Sequence, residues 1–285
     1  MIYKKVDYKH ITHKSPSFDF HLHDGCEIYY RISGDVRYFV EKQIYSVNSY
    51  DVFITNQNEI HKPNFESSKP YERITLCFDP NFFSQFSNEN YNLLDCFYNR
   101  RNGTNNKITL SPQELERMMS SFEAIEEVLS QNISYCDIKI TNTVIDLLIL
   151  LNEAAKRRTS ENHKNQLNEN FVQIIDYIDT HLSEDLSLAT LERVLYLSAS
   201  HMCRTFKRST NSTIHQYIIK KRIALAKHLL KLGYSVSEVS HQSGFSDFSN
   251  FIKTFKRHTG MIPSKYKHYC NSQKNKKTFR IGRCP

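Results

Sequence analysis

Near the start of the chain, His21-Leu22-His23-Asp24-Gly25-Cys26-Glu27 sets two imidazoles and a carboxylate within seven residues, and a third imidazole follows at His61. Histidines two apart on a strand point to one face, because strand side chains alternate. If His61 came alongside, three nitrogens and a carboxylate could hold a divalent metal. The same groups could instead line a pocket for a small polar effector such as a sugar, with Tyr30, Arg31, Tyr38 and Arg73 as further lining. The sequence favours this second use, with no cofactor and no bound metal.

A different chemistry occupies the last hundred or so residues. Leu188–Leu195, a break at 196–198 and Ser200–Arg208 make one unit; Val236–Gln242, a break at 243–245 and Ser246–Arg257 make another. Each reads as a short helix, a tight turn and a second helix ending in Phe-Lys-Arg, which is the helix-turn-helix layout. Met202 with Phe206, and Phe251 with Phe255, lie four apart and predict a buried face. Arg204 and Lys207, and likewise Asn250, Lys253 and Lys256, then fall on a solvent-facing side. Long donors on such a helix reach base edges or phosphates in a major groove. Between the units, Ile214–Leu232 reads as one long helix that would fix their spacing, so that two recognition helices could enter successive grooves about 34 Å apart.

Charge agrees with this division. Residues 169–285 hold 19 Lys and Arg against 8 Asp and Glu, whereas residues 1–168 hold 19 against 22. Only the second half is built to meet a polyanion. The seven cysteines are scattered and never form C-x-x-C, which fits reduced thiols better than a disulfide framework or zinc ribbon. No stretch reaches the roughly 18 uncharged apolar residues that a membrane span needs, and Met1-Ile2-Tyr3-Lys4-Lys5 opens no signal peptide. A cytoplasmic protein with no membrane partner is expected.

The elements that must position these residues follow from pattern. Glu27–Ile32, Arg37–Val40, Tyr50–Ile54 and Tyr71–Phe78 are short β-branched and aromatic runs between turn residues, the signature of a small barrel or jelly roll. Ser111-Pro112-Gln113-Glu114 is a capping box with Pro at the first helical position. It opens a helix over 112–131 striped by Leu115, Met118, Phe122, Ile125 and Leu129. A second helix, 137–156, carries Ile140, Val144, Leu147, Leu148 and Leu151. This pair would cover the barrel and offer a homodimer contact. The expected fold class is therefore α+β: a β-barrel with two helices in 1–156, a polar linker at 157–168, an all-α domain at 169–270 with two helix-turn-helix units joined by a long helix, and a disordered basic tail at 271–285.

Here a family resemblance becomes specific. Gly244-Phe245-Ser246-Asp247-Phe248-Ser249-Asn250-Phe251, continued by Phe255–Gly260 and Ile262–Tyr266, with Arg222, Ala226, Leu229 and Leu230 upstream, resembles the AraC/XylS family of bacterial transcription regulators over about 100 residues. The resemblance implies a regulator whose partners are double-stranded promoter DNA and a small-molecule effector, and which is not an enzyme. Base-reading candidates are then Ser200, His201 and Arg204 in the first unit and Ser249, Asn250 and Lys253 in the second. Lys207, Arg208, Lys256 and Arg257 are phosphate candidates. Gly244 should take a positive φ in the tight turn, and Phe245 should be core.

The first unit departs from the family pattern. Glu192 stands where Ala usually lets the helices approach, Asn211 where Gly is usual and Ala199 where Pro is common; Ser240 is a milder change in the second unit. A carboxylate at residue 192 must turn outward or find a partner, with Arg193 or Arg204 as the candidates, so the first unit is expected to bind more weakly or in a shifted pose. In the N-terminal half, H-x-H-x3-E-x6-G with a later His is similar to the cupin signature. Regulators of this family commonly keep such a strand without a metal. A metal-dependent cupin enzyme with an accessory DNA-binding domain is the alternative, and a regulator with no effector, controlled by partner proteins or abundance, is a third reading.

Overall fold

The computed structural model describes residues 5–13, 19–67, 69–131, 135–157 and 168–277, and the chain divides into two units, 1–167 and 168–285. Strand parity explains the first. β1 (Val6–His13), β2 (Cys26–Ser33), β3 (Val36–Val40), β4 (Gln43–Ser46), β5 (Asp51–Thr55), β6 (His61–Phe65), β7 (Tyr71–Phe78) and β8 (Lys107–Thr109) pair antiparallel into two sheets. Their orders are β1-β7-β2-β5-β8 and β4-β3-β6. Alternate residues of β2 serve two different cores. Cys26, Ile28 and Tyr30 join Ile74, Leu76 and Phe78 of β7 in one, while Tyr29 packs with Tyr38, Tyr45, Phe53 and Tyr71 in the other. The second core draws on both sheets, so it is the layer between them. β1, β4, β6 and β8 had no alternation strong enough to announce them.

Helices cover the far side of the larger sheet. Short α1 (Pro80–Phe83) and α2 (Asp95–Tyr98) precede α3 (Pro112–Gln131) and α4 (Cys136–Lys156). The capping box that starts α3 is formed: the Ser111 N–H donates to the Glu114 carboxylate at 2.9 Å, and the Glu114 N–H donates to the Ser111 hydroxyl at 3.3 Å. Arg157, just past α4, grips the same carboxylate at 2.5 and 2.6 Å, closing the helix pair. Met118, Phe122 and Ile125 are buried against the sheet with Ile140, Val144, Leu147, Leu148 and Leu151. Leu129 is not: at 39% exposure it leaves the stripe, and Val128 turns inward in its place. A straight helix of 3.6 residues per turn drifts from a seven-residue repeat, which accounts for the exchange.

One charged pair lies wholly inside this unit. Arg100 and Glu59 form a two-pronged ion pair at 2.6 and 2.7 Å, with side chains 2% and 0% exposed. Gly103 N–H and Asn56 N–H also donate to the carboxylate, at 2.6 and 2.9 Å. Burial by itself would raise the Glu59 carboxyl, but Arg100 and these backbone donors hold it below its ordinary value.

The second unit is helical: α5 (Glu169–Thr180), α6 (Leu188–Leu195), α7 (Ala199–Thr210), α8 (Ile214–Leu232), α9 (Val236–Gln242), α10 (Phe248–Thr259) and α11 (Pro263–Lys277). Side-chain caps start most of them. Thr213 with Gln216, and Ser235 with Glu238, form full capping boxes on α8 and α9. Residues 158–167 of the expected linker lie outside the described residues. The tail expected to be disordered from Asn271 continues as helix to Lys277, while 278–285 lie outside the described residues. Among the described residues, no helix is long and apolar enough to cross a membrane.

Arg100→Met should cost the N-terminal unit about 3–5 kcal/mol, because it strands a buried carboxylate. Tyrosine fluorescence during urea unfolding measures this, since the chain has no Trp. A carboxyl held low in the folded state stabilises above its unfolded value, and that stability is lost as pH falls through the folded value. Wild type should therefore lose stability on acidification below its ordinary carboxyl value of 4.5. The variant should lose less over the same range.

Candidate nucleic-acid interface and barrel cluster

Each recognition helix is set on its partner by an apolar pair. Met202 and Phe206 of α7, and Phe251 and Phe255 of α10, are fully buried. Phe206 packs on Phe171 of α5 and Tyr217 of α8, and Phe255 packs on Tyr266 of α11. With those residues inward, Ser200, Arg204, Lys207 and Arg208 of α7 are exposed, as are Ser249, Asn250, Lys253, Lys256 and Arg257 of α10. His201 departs from the expectation. Its ring turns back toward α5, where the Asn170 side-chain amide donates to Nε2 at 3.0 Å. It sits at the inner edge of α7 because it precedes buried Met202 by one residue and buried Thr205 by four.

The turns differ between the units for a physical reason. In the second, Gly244 has φ +82°, and a Cβ there would lie 2.1 Å from the Leu182 carbonyl and 2.8 Å from Arg222 Nε. Arg222 in turn donates to the carbonyls of Leu182 at 3.0 Å and Glu184 at 2.7 Å. The guanidinium thus joins the loop before α6 to the turn after α9. In the first unit the positive φ falls on Tyr196, at +55°, and its side chain is 92% exposed. Asn211 closes α7 at φ +52°, a position where Asn is tolerated. Glu192 finds neither Arg193 nor Arg204. Its carboxylate accepts from the Ala199 N–H at 3.3 Å and so caps the start of α7. The helix N-terminus offers unpaired N–H groups, which a nearby carboxylate can satisfy.

Sequence reasoning passed over Phe248, whose ring is 49% exposed at the first residue of α10, and Cys203, exposed on α7. Phe248 offers an apolar surface of the kind that meets a thymine methyl. Its spacing of three from the buried Phe251 would place it on the same helix face, and it stays exposed as the first residue of α10, so spacing gave no signal for it.

In the barrel, the His-Glu group forms with one exchange of members. His23 Nε2 lies 3.0 Å from Glu27 Oε2, and His61 Nε2 lies 3.2 Å from His23 Nε2 and 3.3 Å from Glu27 Oε1. The Cys77 thiol donates to Glu27 Oε2 at 3.3 Å, and the Tyr38 hydroxyl donates to Oε1 at 3.3 Å. His21 is instead a backbone partner, exchanging N–H···O bonds with His61 at 2.8 and 3.2 Å. Its ring centroid stays 6.1 Å from those of both His23 and His61. Burial and the neighbouring His61 push its imidazole down to about 3. Burial opposes charge on Glu27 as well, yet His23 and His61 hold that carboxyl well below its ordinary range. Burial would lower His61, but Glu27 beside it leaves it raised. Burial and Glu27 push the Cys77 thiol up.

The other expected lining residues divide by parity. Tyr30 faces the helices, in the core with Ile28 and Val52, and donates to the Ser49 carbonyl at 3.0 Å. It is one residue out of phase with Glu27, so the strand turns it away. Arg31 pairs across from Arg73 in the β2–β7 register and donates to the Gly34 carbonyl at 3.1 Å. Between the sheets the space is filled: the rings of Tyr29 and Tyr38 stack at 4.2 Å, Tyr38 and Phe53 meet at 4.7 Å, and Tyr29 and Tyr71 share a hydroxyl hydrogen bond at 2.7 Å. Cys77 was not foreseen. It has the parity of Arg73, which was, but its approach to Glu27 depends on a long-range strand register.

Residues 5–148 match the family model described as AraC-like ligand binding domain, and residues 191–269 match a helix-turn-helix domain model. An uncharacterized HTH-type transcriptional regulator of Staphylococcus aureus (strain COL) is 27% identical over 256 residues, covering 87% of this chain and 32% of that protein. The probable transcriptional regulator LumQ of Photobacterium leiognathi is 38% identical over 101 residues, 35% of this chain and 41% of LumQ. The chain thus spans about a third of the length of the staphylococcal relatives it matches. Among solved structures, the DNA-binding domain of AdpA in complex with a target DNA is 27% identical, covers 37% of this chain and 96% of that one, and has a TM-score of 0.36.

Gly244→Ala should destabilise the C-terminal unit by about 2–3 kcal/mol, from left-handed strain and the collision with the Leu182 carbonyl. The expected readout is a lower thermal midpoint by helical circular dichroism. A wild-type midpoint would mean that the turn does not need its glycine.

Proposed function

Because this chain belongs to the AraC family of transcription regulators, we propose that it binds promoter DNA in a sequence-specific way and that its N-terminal unit senses a small ligand. One observation carries the DNA-binding half: in both helix-turn-helix units an apolar pair is buried and a row of donors is left exposed on the opposite face of the second helix. Arg204 and Ser200 on α7, and Ser249, Asn250 and Lys253 on α10, are the base readers in this proposal. Lys207, Arg208, Lys256 and Arg257 neutralise phosphates. His201, held by Asn170, orients α7 rather than reading a base. α8, 19 residues long and so about 28 Å, is the rod that sets the two units apart on a scale near the groove repeat of about 34 Å.

The units serve unequally in this reading. The carboxylate of Glu192 uses an N–H group at the start of α7, as the Asp247 cap does on α10, so the difference lies in the last turn, where α7 carries only Lys207 and Arg208. α10 starts with Asp247 as its cap and carries Lys256, Arg257 and His258 in its last turn. For the N-terminal unit, a ligand that binds one barrel state better than another shifts DNA occupancy, a coupling of about 1–3 kcal/mol. Homodimerisation through α3 and α4 is part of the proposal, supported by Leu129, Ile138 and Ile149, which stay exposed on these helices.

The test starts from genome-wide mapping of bound sites, which supplies a promoter fragment. On that fragment, Lys253→Ala should cost about 1–3 kcal/mol and relax preference at one base pair. Lys256→Ala should weaken all sequences alike and reduce the salt slope by about 1. If both variants follow the wild-type salt titration, α10 is not the reading helix.

A further inference from the structure

We propose that His23, Glu27, His61 and Cys77 form a site for one divalent cation of the zinc class. This deepens the sensor reading above by naming its ligand, and rests on that reading only for its regulatory consequence.

The geometry carries the proposal. Ligand atoms of His23, Glu27 and Cys77 all lie within 4.8 Å of one another. The separations at 3.0, 3.2, 3.3 and 3.3 Å link His23 to Glu27, His23 to His61, His61 to Glu27, and Cys77 to Glu27. A tetrahedron with metal–nitrogen and metal–oxygen bonds near 2.0–2.1 Å has edges of about 3.3 Å, lengthening to about 3.5 Å where sulfur takes a corner. Three edges of such a shell on Glu27 Oε2 are in place, His23 to Glu27, Cys77 to Glu27 and His23 to His61; His61 meets Glu27 through Oε1 and must swing toward Oε2 and Cys77 to close on an ion. Two imidazoles, a carboxylate and a thiolate suit zinc better than magnesium or calcium, which take oxygen.

The surroundings orient the ligands. The His61 Nδ1–H donates to the Glu59 carbonyl at 2.9 Å, which turns Nε2 into the cluster. The Tyr38 hydroxyl holds Oε1 of Glu27, so Oε2, between His23 and Cys77, is the oxygen free to ligate. His61 and Glu27 are buried, whereas His23 and Cys77 are half-buried and form the entrance. Binding would replace the Cys77 S–H bond by a metal–sulfur bond and release its proton to solvent. Thiolate and carboxylate then balance the two positive charges of the ion. Arg73 is close enough to act on Tyr38 and His21, and Lys9 near Cys77 is paired with Asp7 at 2.7 Å. His21, which the sequence motif would enlist, is left outside, and Cys77 takes the place it vacates.

The full chain, stripped with a chelator, is titrated with Zn²⁺ against a chromophoric competitor and separately with Co²⁺. One equivalent of tightly bound Zn²⁺ and a near-ultraviolet thiolate-to-cobalt band are expected. Cys77→Ser should abolish the band and weaken Zn²⁺ binding at least about a hundredfold, since even outer-shell changes cost 10–100-fold, while Cys203→Ser leaves both unchanged. Absence of the band in wild type, or wild-type affinity in Cys77→Ser, overturns the site. Should Cys77→Ser not fold, protection of Cys77 from iodoacetamide by Zn²⁺, mapped by mass spectrometry, decides: unprotected Cys77 overturns it. Promoter binding is measured on the same stripped and loaded chain. DNA binding without the metal site overturns only the cation; a metal site without DNA binding overturns only the regulator reading.

Discussion

A carboxylate sealed inside a protein costs several kcal/mol unless every acceptor position is answered, and Glu59 meets that condition with five donors. Both terminal nitrogens of Arg100, the N–H groups of Asn56 and Gly103 and the side-chain amide of Asn106 converge on it. The constraint propagates in two directions. Arg100 also donates to the carbonyls of Cys96 and Thr104, so the end of α2 and the loop before β8 are set by the same guanidinium. On the other side, the backbone carbonyl of Glu59 takes the Nδ1–H of His61 and thereby fixes which ring nitrogen faces Glu27. The barrel cluster is aimed by a residue that is not one of its members.

Arg222 has the corresponding place in the second unit. It is half-buried, and burial lowers its affinity for a proton, yet it spends its donors on backbone carbonyls rather than on a carboxylate. Those carbonyls belong to the approach to the first helix-turn-helix unit, and the glycine packed against the guanidinium belongs to the turn of the second. One side chain on the long connecting helix thus holds both units to one frame. Within that frame the two recognition helices need not be equivalent: α10 begins with an Asp cap and an exposed Phe248, whereas α7 begins with a Ser cap and the additional carboxylate of Glu192.

Local signals carried much of this. The capping box at Ser111–Glu114 and the helical stripes of α4, α7 and α10 depend on neighbours within four residues, and they are formed as their spacing implies. Gly244 had to have a positive φ in its turn, and it does. The strands were harder. β6, His61–Phe65, contains a lysine and a proline, and β8 has three residues, so neither has the alternation that marks a strand.

The amino-acid order by itself determined which residues could line a recognition face, because helical side-chain direction is a local matter of 3.6 residues per turn. It also determined that charge for a polyanion sits in the second half. Only the tertiary structure decided the membership of the barrel cluster. Whether His21 or Cys77 meets Glu27 depends on the register of β2 against β7 and on the bridge between His21 and His61, and a shift of one residue reverses every face. The same holds for Tyr30, turned to the helices, and for His201, drawn to α5 by Asn170. These contacts join residues from 31 to 50 apart, and no local pattern encodes them.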